Sequence, residues 1–278
     1  MQYGVGRSVT EEALNTIAWS AFLVIALYPV ELMFPAEAHQ GIRGRILNFC
    51  YMPVIIGFSD ATLPITNEIA TRLSLALPDL PTFVVVPTHP AAVALTSLAF
   101  AIIWDTWQYW VHRLQHKSPL LWPTHEFHHS ETTMNASTHA RVHAASHVLY
   151  VLLWLPVVTA LGTVAPHWIA AFLIFRLWGY FIHANIRLGF GWLTPWIAGP
   201  QFHRIHHSRL PEHIDKNFAT LFPFIDIAFG TYYRPAPGEY PATGLVLDKD
   251  VGFLEQATIE PFRMWRDIWH ALLRPPQK

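Results

Sequence analysis

The chain has 278 residues, of which 52% are hydrophobic and only 13% charged, where soluble domains carry roughly 25% charged residues; it reads as an integral membrane protein. Its formal net charge of −1 supplies no basic excess to meet phosphates, which excludes a nucleic-acid partner. The single cysteine, Cys50, excludes an intrachain disulfide and any cysteine-rich zinc module, so the 17 histidines are the feature to explain.

In chain order, the first candidate span runs from Thr16 to Phe34. No positive region precedes it and it exceeds a signal-peptide core in length, so it is read as a span although "AEA" at Ala36–Ala38 mimics a cleavage site. A weaker second candidate, Ile46 to Ile65, is interrupted by Asp60 and two prolines and either crosses or dips into the bilayer. The third runs from Ala91 to Val111. The fourth and fifth, His147 to Ala165 and His167 to Ile182, are separated by a short turn around Pro166 and should form a helical hairpin. No span follows Asn185. "GFGWLTPWIAG" is apolar, short and Trp-rich, which suits a membrane interface. In "PFRMWRDIWHALLR", Phe262, Trp265, Trp269 and Leu272 share a helical face, with Arg263, Arg266 and Arg274 around it; such a helix lies on the membrane or packs on the domain.

The histidine-rich stretches all fall on one side of these spans. The opposite segments, residues 1–14, about 67–90 and the turn near Pro166, hold only Arg7 and Arg72, so the positive-inside rule puts the histidines on the cytoplasmic face. The expected fold is all-α, an integral membrane bundle of about four to five spans with a cytoplasmic, histidine-rich metal-binding cap. Three regions are expected: N-terminal membrane segments (1–90), a catalytic domain (91–235) and a C-terminal tail (236–278).

"WVHRLQH" places His112 and His116 at i and i+4. "HEFHH" places His125, His128 and His129 at i, i+3 and i+4, and "HRIHH" repeats this with His203, His206 and His207. On helices these spacings point imidazoles one way, as a metal site requires. Eight imidazoles from three stretches suit two ions better than one. His183, where the fifth span ends, is placed to complete the site. In "THARVH", His143 is an additional candidate ligand and His139 a weaker one. Neutral imidazoles suit Fe, Zn, Cu or Ni. Their outward N–H groups need acceptors; the candidates are Asp105, seven residues before His112, with Glu126, Glu131, Asn135 and Asp226. His39, His89, His147, His167, His213 and His270 carry no such pattern.

The order HxxxH, HxxHH and a distant HxxHH resembles the fatty acid hydroxylase / sterol desaturase superfamily of membrane diiron enzymes. "DTWQYWVHRLQH", "HEFHHS", "FIHANI" and "HRIHHS" are similar to its bacterial branch. "DKNFATLFPFIDIAFGTYYRP" also resembles the alkylglycerol monooxygenases. The resemblance covers about Leu98 to Pro235 closely. It implies two iron ions, which zinc can replace during purification, held by His112, His116, His125, His128, His129, His203, His206 and His207, with His183 as the extra histidine. It implies O2-dependent oxidation of an unactivated C–H bond in a fatty acyl, sterol or related lipid, by hydroxylation or desaturation. The chain has no dinucleotide-binding glycine motif, and its one His-Pro pair, at His89, lacks the glycines of a cytochrome b5 heme box. A separate ferredoxin-like or cytochrome b5-like donor with its reductase is therefore expected. An ether-lipid monooxygenase is the alternative within the class; a metal transporter or a zinc hydrolase is the alternative outside it.

Overall fold

The computed structural model describes residues 9–38, 40–76, 89–161, 166–245 and 252–272, and these are helical, with two isolated bridges and no strand among them. Five longer helices form the body: α1 (Val9–Met33), α2 (Ile42–Ala76), α3 (Pro90–Lys117), α5 (Ala144–Leu161) and α6 (Pro166–His183). Short helices build a cap at one end: α4 (Trp122–His129), α7 (Pro200–His206) and α8 (Phe224–Ala228). The tail returns as α9 (Phe253–Thr258) and α10 (Glu260–Leu272).

Local chemistry sets several of these boundaries. His89 caps α3, its Nδ1 accepting from the Ala91 amide, and Pro90 brings the φ that a first helical residue needs. Pro123 and Pro200 do the same in the first turns of α4 and α7. The body is packed by apolar side chains: Met52 and Ile56 of α2 meet Ile17, Ala21, Val24 and Leu27 of α1, together with Ala140 and Tyr180. At the cap, Tyr109 of α3 is fully buried against Phe218, Ala219 and Ile225. Body and cap are joined through Glu31, which is buried near the end of α1. Its Oε1 accepts from the amides of Ala136 (2.8 Å) and Asn185 (2.7 Å), and its Oε2 pairs with Arg45.

Among the described residues, two helices are long and apolar enough to cross a membrane: Ala13–Met33, with mean hydropathy 1.7, and Pro90–Lys117, with mean hydropathy 1.3. Only 11% of each apolar window is buried, so neither is the core helix of a water-soluble fold; their apolar surfaces face outward. The second expected span lies within α2, a continuous helix of 35 residues carrying Pro53 and Pro64. At 1.5 Å per residue it is about 50 Å long, enough to cross, although Asp60 and the two prolines interrupt its apolar run. The fourth expected span is apolar over Ala144–Leu155. Arg7, residues 77–88 of the expected outer segment, the 162–165 turn of the expected hairpin, and Arg274 lie outside the described residues.

The terminal helix divides its face. Trp265 is tied down, its Nε1 donating to Leu120 O at 2.7 Å, and Pro261 is buried, whereas Phe262 and Trp269 project outward. Packing on the domain and an exposed aromatic edge are both present.

Candidate metal centre

The site is made where the cytoplasm-side ends predicted for α3 and α6 meet the cap helices α4 and α7. Nine imidazoles gather there in two groups: His112, His116, His125, His129 and His206 form one, and His128, His183, His203 and His207 the other, each with its nearest nitrogens within 4.8 Å of one another. The groups are adjacent, the His129 and His207 rings stacking at 4.3 Å between centroids.

The expectation that each HxxHH stretch points its three imidazoles one way is corrected by this arrangement. At 100° per residue, i+4 lies about 40° from i on one side and i+3 about 60° on the other. The i, i+4 pair therefore serves one group and the i+3 residue the neighbouring one. α4 sends His125 and His129 to the five-histidine group and His128 across. α7 does the reverse, sending His203 and His207 to the four-histidine group and His206 across. Short helices wedged between two positions use both sides of one motif.

Within each group the ring nitrogens converge. His129 Nε2 lies 3.1 Å from Nε2 of both His116 and His125. His183 Nε2 lies 3.1 Å from His128 Nε2 and 3.0 Å from His203 Nε2. One ring nitrogen carries either a single N–H or a single lone pair, so it cannot bond well to two such neighbours at once. Nε2 of His112, His206 and His207 is buried without a hydrogen-bond partner. Orphaned, converging nitrogens in a buried pocket fit a cation. Two nitrogens each roughly 2.1 Å from an ion and at right angles are about 3.0 Å apart, against about 3.4 Å for a tetrahedral pair. The donor set therefore fits two ions of higher coordination number, and iron is among the metals that imidazole donors suit.

Burial, followed by repulsion from neighbouring rings, pushes His125, His128, His129, His203, His206 and His207 well below the ordinary histidine range. The rings are held neutral, with lone pairs available for coordination.

Four of the outward ring nitrogens meet backbone carbonyls, whereas Nδ1 of His203 and of His207 is buried without a hydrogen-bond partner. His112 Nδ1 faces Phe218 O (3.0 Å), His128 Nδ1 faces Arg141 O (3.2 Å), His183 Nδ1 faces Gly179 O (2.6 Å) and His206 Nδ1 faces Lys216 O (2.8 Å). The expected carboxylates act one layer further out. Asp105 accepts from the amides of Thr220, Leu221 and Phe222 at 2.7–3.0 Å. Asp226 accepts from Phe218 N, Ala219 N and Thr231 Oγ1, and burial raises its pKa. Together they fix the loop whose Phe218 carbonyl meets His112. Asn135 caps the short 3-10 turn Ala136–Ala140 and touches no site ring. Glu126 lies beside Gln256 and Glu260 in a small cleft under α10, away from both groups. Glu131 accepts from Asn48 (2.9 Å) and pairs with Arg141, whose carbonyl meets His128. His143 joins neither group; its Nδ1 accepts from the Ala145 amide at the start of α5. His139 also stands outside, packed on the His183 and Tyr180 rings.

Two contributors were missed from the sequence. Asp215 approaches His116 Nδ1 at 3.5 Å and Lys117 Nζ at 2.5 Å, and these partners, His116 first, lower its pKa to about 2. Gly179 supplies the His183 carbonyl contact and leaves room for His139, whose Cε1 would lie 2.3 Å from a Cβ added there. A glycine inside an apolar helix, one turn before His183, was the available signal.

The fatty acid hydroxylase family profile matches residues 97–231, a segment that contains all nine imidazoles and Asp105, Asp215 and Asp226. These residues form a fatty acid hydroxylase domain. The match is to the fatty acid hydroxylase family and covers just under half of the chain. The chain is 32% identical over 170 residues to an alkylglycerol monooxygenase of Danio rerio, covering 59% of this chain and 36% of that protein. It is 28% identical to an ornithine lipid hydroxylase of Rhizobium tropici, covering 55% of this chain and 46% of that one. A methylsterol monooxygenase of Arabidopsis thaliana is 27% identical, over 60% of this chain and 55% of its own. The chain thus spans about a third of the length of the alkylglycerol monooxygenases it matches. No solved structure matches it.

Proposed function

We propose that the protein is a membrane-bound diiron oxidase that hydroxylates or desaturates an alkyl C–H bond of a membrane lipid. The observation that carries this reading is the division of nine neutral imidazoles, eight of them buried and His116 half-buried, into two adjacent groups inside a fatty acid hydroxylase domain. His112, His116, His125, His129 and His206 would hold one iron, and His128, His183, His203 and His207 the other. The metal pair, when bound, supplies the redox chemistry that couples O2 and two external electrons to oxidation of the C–H bond. The chain's own contribution is to hold the rings neutral, orient them through the carbonyls of Phe218, Arg141, Gly179 and Lys216, and keep bulk water from the centre by burial. In hydroxylation, one oxygen atom enters the lipid and the other leaves as water, with two protons and two electrons taken up.

The protein crosses the membrane several times in this reading, with the histidine cap on the cytoplasmic face. The lipid enters from the bilayer beside α3, whose outer surface is apolar. A ferredoxin-like or cytochrome b5-like protein delivers the electrons. Nanodisc-embedded, iron-loaded protein incubated with a lipid extract, a ferredoxin and its reductase under labelled O2 tests this. One labelled oxygen in a lipid product is expected for hydroxylation, and loss of two hydrogens for desaturation; no O2-dependent lipid change contradicts the reading.

A second reading, oxidation of an ether lipid, is favoured by the likeness to alkylglycerol monooxygenase. Release of a fatty aldehyde from an alkylglycerol, dependent on reduced pterin, distinguishes it; unchanged alkylglycerol counts against it.

A further inference from the structure

We infer that Asp215 is a positioning carboxylate for His116 that makes the five-histidine group the tighter of the two metal positions. This rests on the diiron reading above and adds an inequality between the two sites.

The two groups are supported differently. A single loop holds three of the five rings in the larger group: Asp215 faces His116, the Lys216 carbonyl faces His206, and the Phe218 carbonyl faces His112. Asp215 and Asn217 both adopt left-handed backbone conformations, with φ of 61° and 60°, on either side of Lys216. Such a conformation is costly for residues other than glycine, though Asp and Asn tolerate it best. It persists here because the loop is fixed at several points. Asn217 accepts from the Tyr233 amide (2.8 Å) and donates to Phe202 O and Tyr233 O, while Asp226 holds the amides of Phe218 and Ala219. The result aims a carboxylate and two carbonyls at the outward Nδ1 atoms of three rings of one group.

The four-histidine group has no counterpart. Its outward contacts, Arg141 O and Gly179 O, come from separate segments, and among the described residues no carboxylate faces its rings. A cation held by neutral imidazoles alone keeps its full charge in a buried site. A carboxylate on the far side of one imidazole raises that ring's basicity and offsets part of the charge. Lys117 takes the second carboxylate oxygen, leaving Oδ1 directed at His116.

Loss of such an outer carboxylate typically weakens metal binding by about 10–100-fold. The test uses the full chain in nanodiscs, stripped of metal and titrated with Co(II), with visible absorption and bound metal per chain as readouts. The wild type is expected to fill in two steps. Asp215→Asn, which keeps the left-handed backbone accessible, should weaken the first step by about 10–100-fold and leave the second unchanged. Lys117→Met removes the ion pair but leaves the carboxylate on His116, and should not weaken the first step. An Asp215→Asn titration indistinguishable from wild type overturns the inference, and so does a Lys117→Met variant that loses the first step equally. Independently of those variants, His116→Ala should abolish the tight step and His203→Ala the weak one; the reverse assignment also overturns it. A wild-type chain that binds no cobalt overturns the diiron reading itself, and this inference with it.

Discussion

At Gly179 the α6 backbone and the His139 ring approach so closely that no side chain fits between them. Gly179→Ala should push His139 aside and shift the carbonyl that orients His183. Overpacking of this kind costs about 1–3 kcal/mol. The measurable outcome is a lower melting temperature together with iron lost from the four-histidine group; a variant with wild-type melting and full iron would contradict it. Asp105→Ala leaves the amides of Thr220, Leu221 and Phe222 without their acceptor. Each stranded amide costs about 1–3 kcal/mol, so a large fall in thermal stability is expected, with Asp105→Asn intermediate. An Asp105→Ala variant as stable as the wild type would mean that the carboxylate does not hold the loop. The role of Asp105 was half legible: an acid near the end of an apolar span needed a partner, but its partners are amides more than a hundred residues away, and a backbone carbonyl or amide has no letter in a sequence. Asp215 was hidden for a related reason, because only the path of its loop brings it to His116.

The helices show most clearly what histidine spacing specifies. His112, His116, His125, His128, His129, His203, His206 and His207 could be identified from helical periodicity, and their gathering follows. Their division could not be read until the helices were placed, because periodicity gives the angle between i+3 and i+4 but not which side faces which neighbour. Asn135 and Glu126 looked equally suited to meet the rings, yet one caps a turn and the other lies under α10. The depressed pKa values of the α4 and α7 histidines make a further prediction. A free imidazole with pKa of about 6.5 is half protonated at that pH and releases about half a proton when it binds metal. These rings are already neutral, so loading the folded, metal-free protein near that pH should release far less. Calorimetry in buffers of different ionisation enthalpy measures the proton count. Release approaching half a proton per histidine would mean that the rings are exposed before loading.

The whole molecule reads as an apolar body carrying a histidine-rich end. Composition alone indicated the membrane, and the outward-facing apolar surfaces of α1 and α3 agree. The number of crossings was less legible, because Asp60 and the prolines of α2 obscure whether a long helix is also a spanning one. The exposed rings of Trp192, Trp196, Phe262 and Trp269 lie in or beyond the cap segments. In the membrane-bound protein they should sit at the headgroup level, where amphipathic aromatic rings are favoured. Lipids brominated near the headgroup should therefore quench Trp192 and Trp196 more strongly than lipids brominated at the chain end, measured as the signal lost in Trp-to-Phe variants. The reverse order would place these loops elsewhere. The central claim is that the nine imidazoles form two iron positions, and iron content with Mössbauer spectra of protein reconstituted anaerobically with iron tests it most directly. The account predicts close to two irons per chain, present as a coupled pair. One iron, two uncoupled irons, or none after careful reconstitution would contradict it.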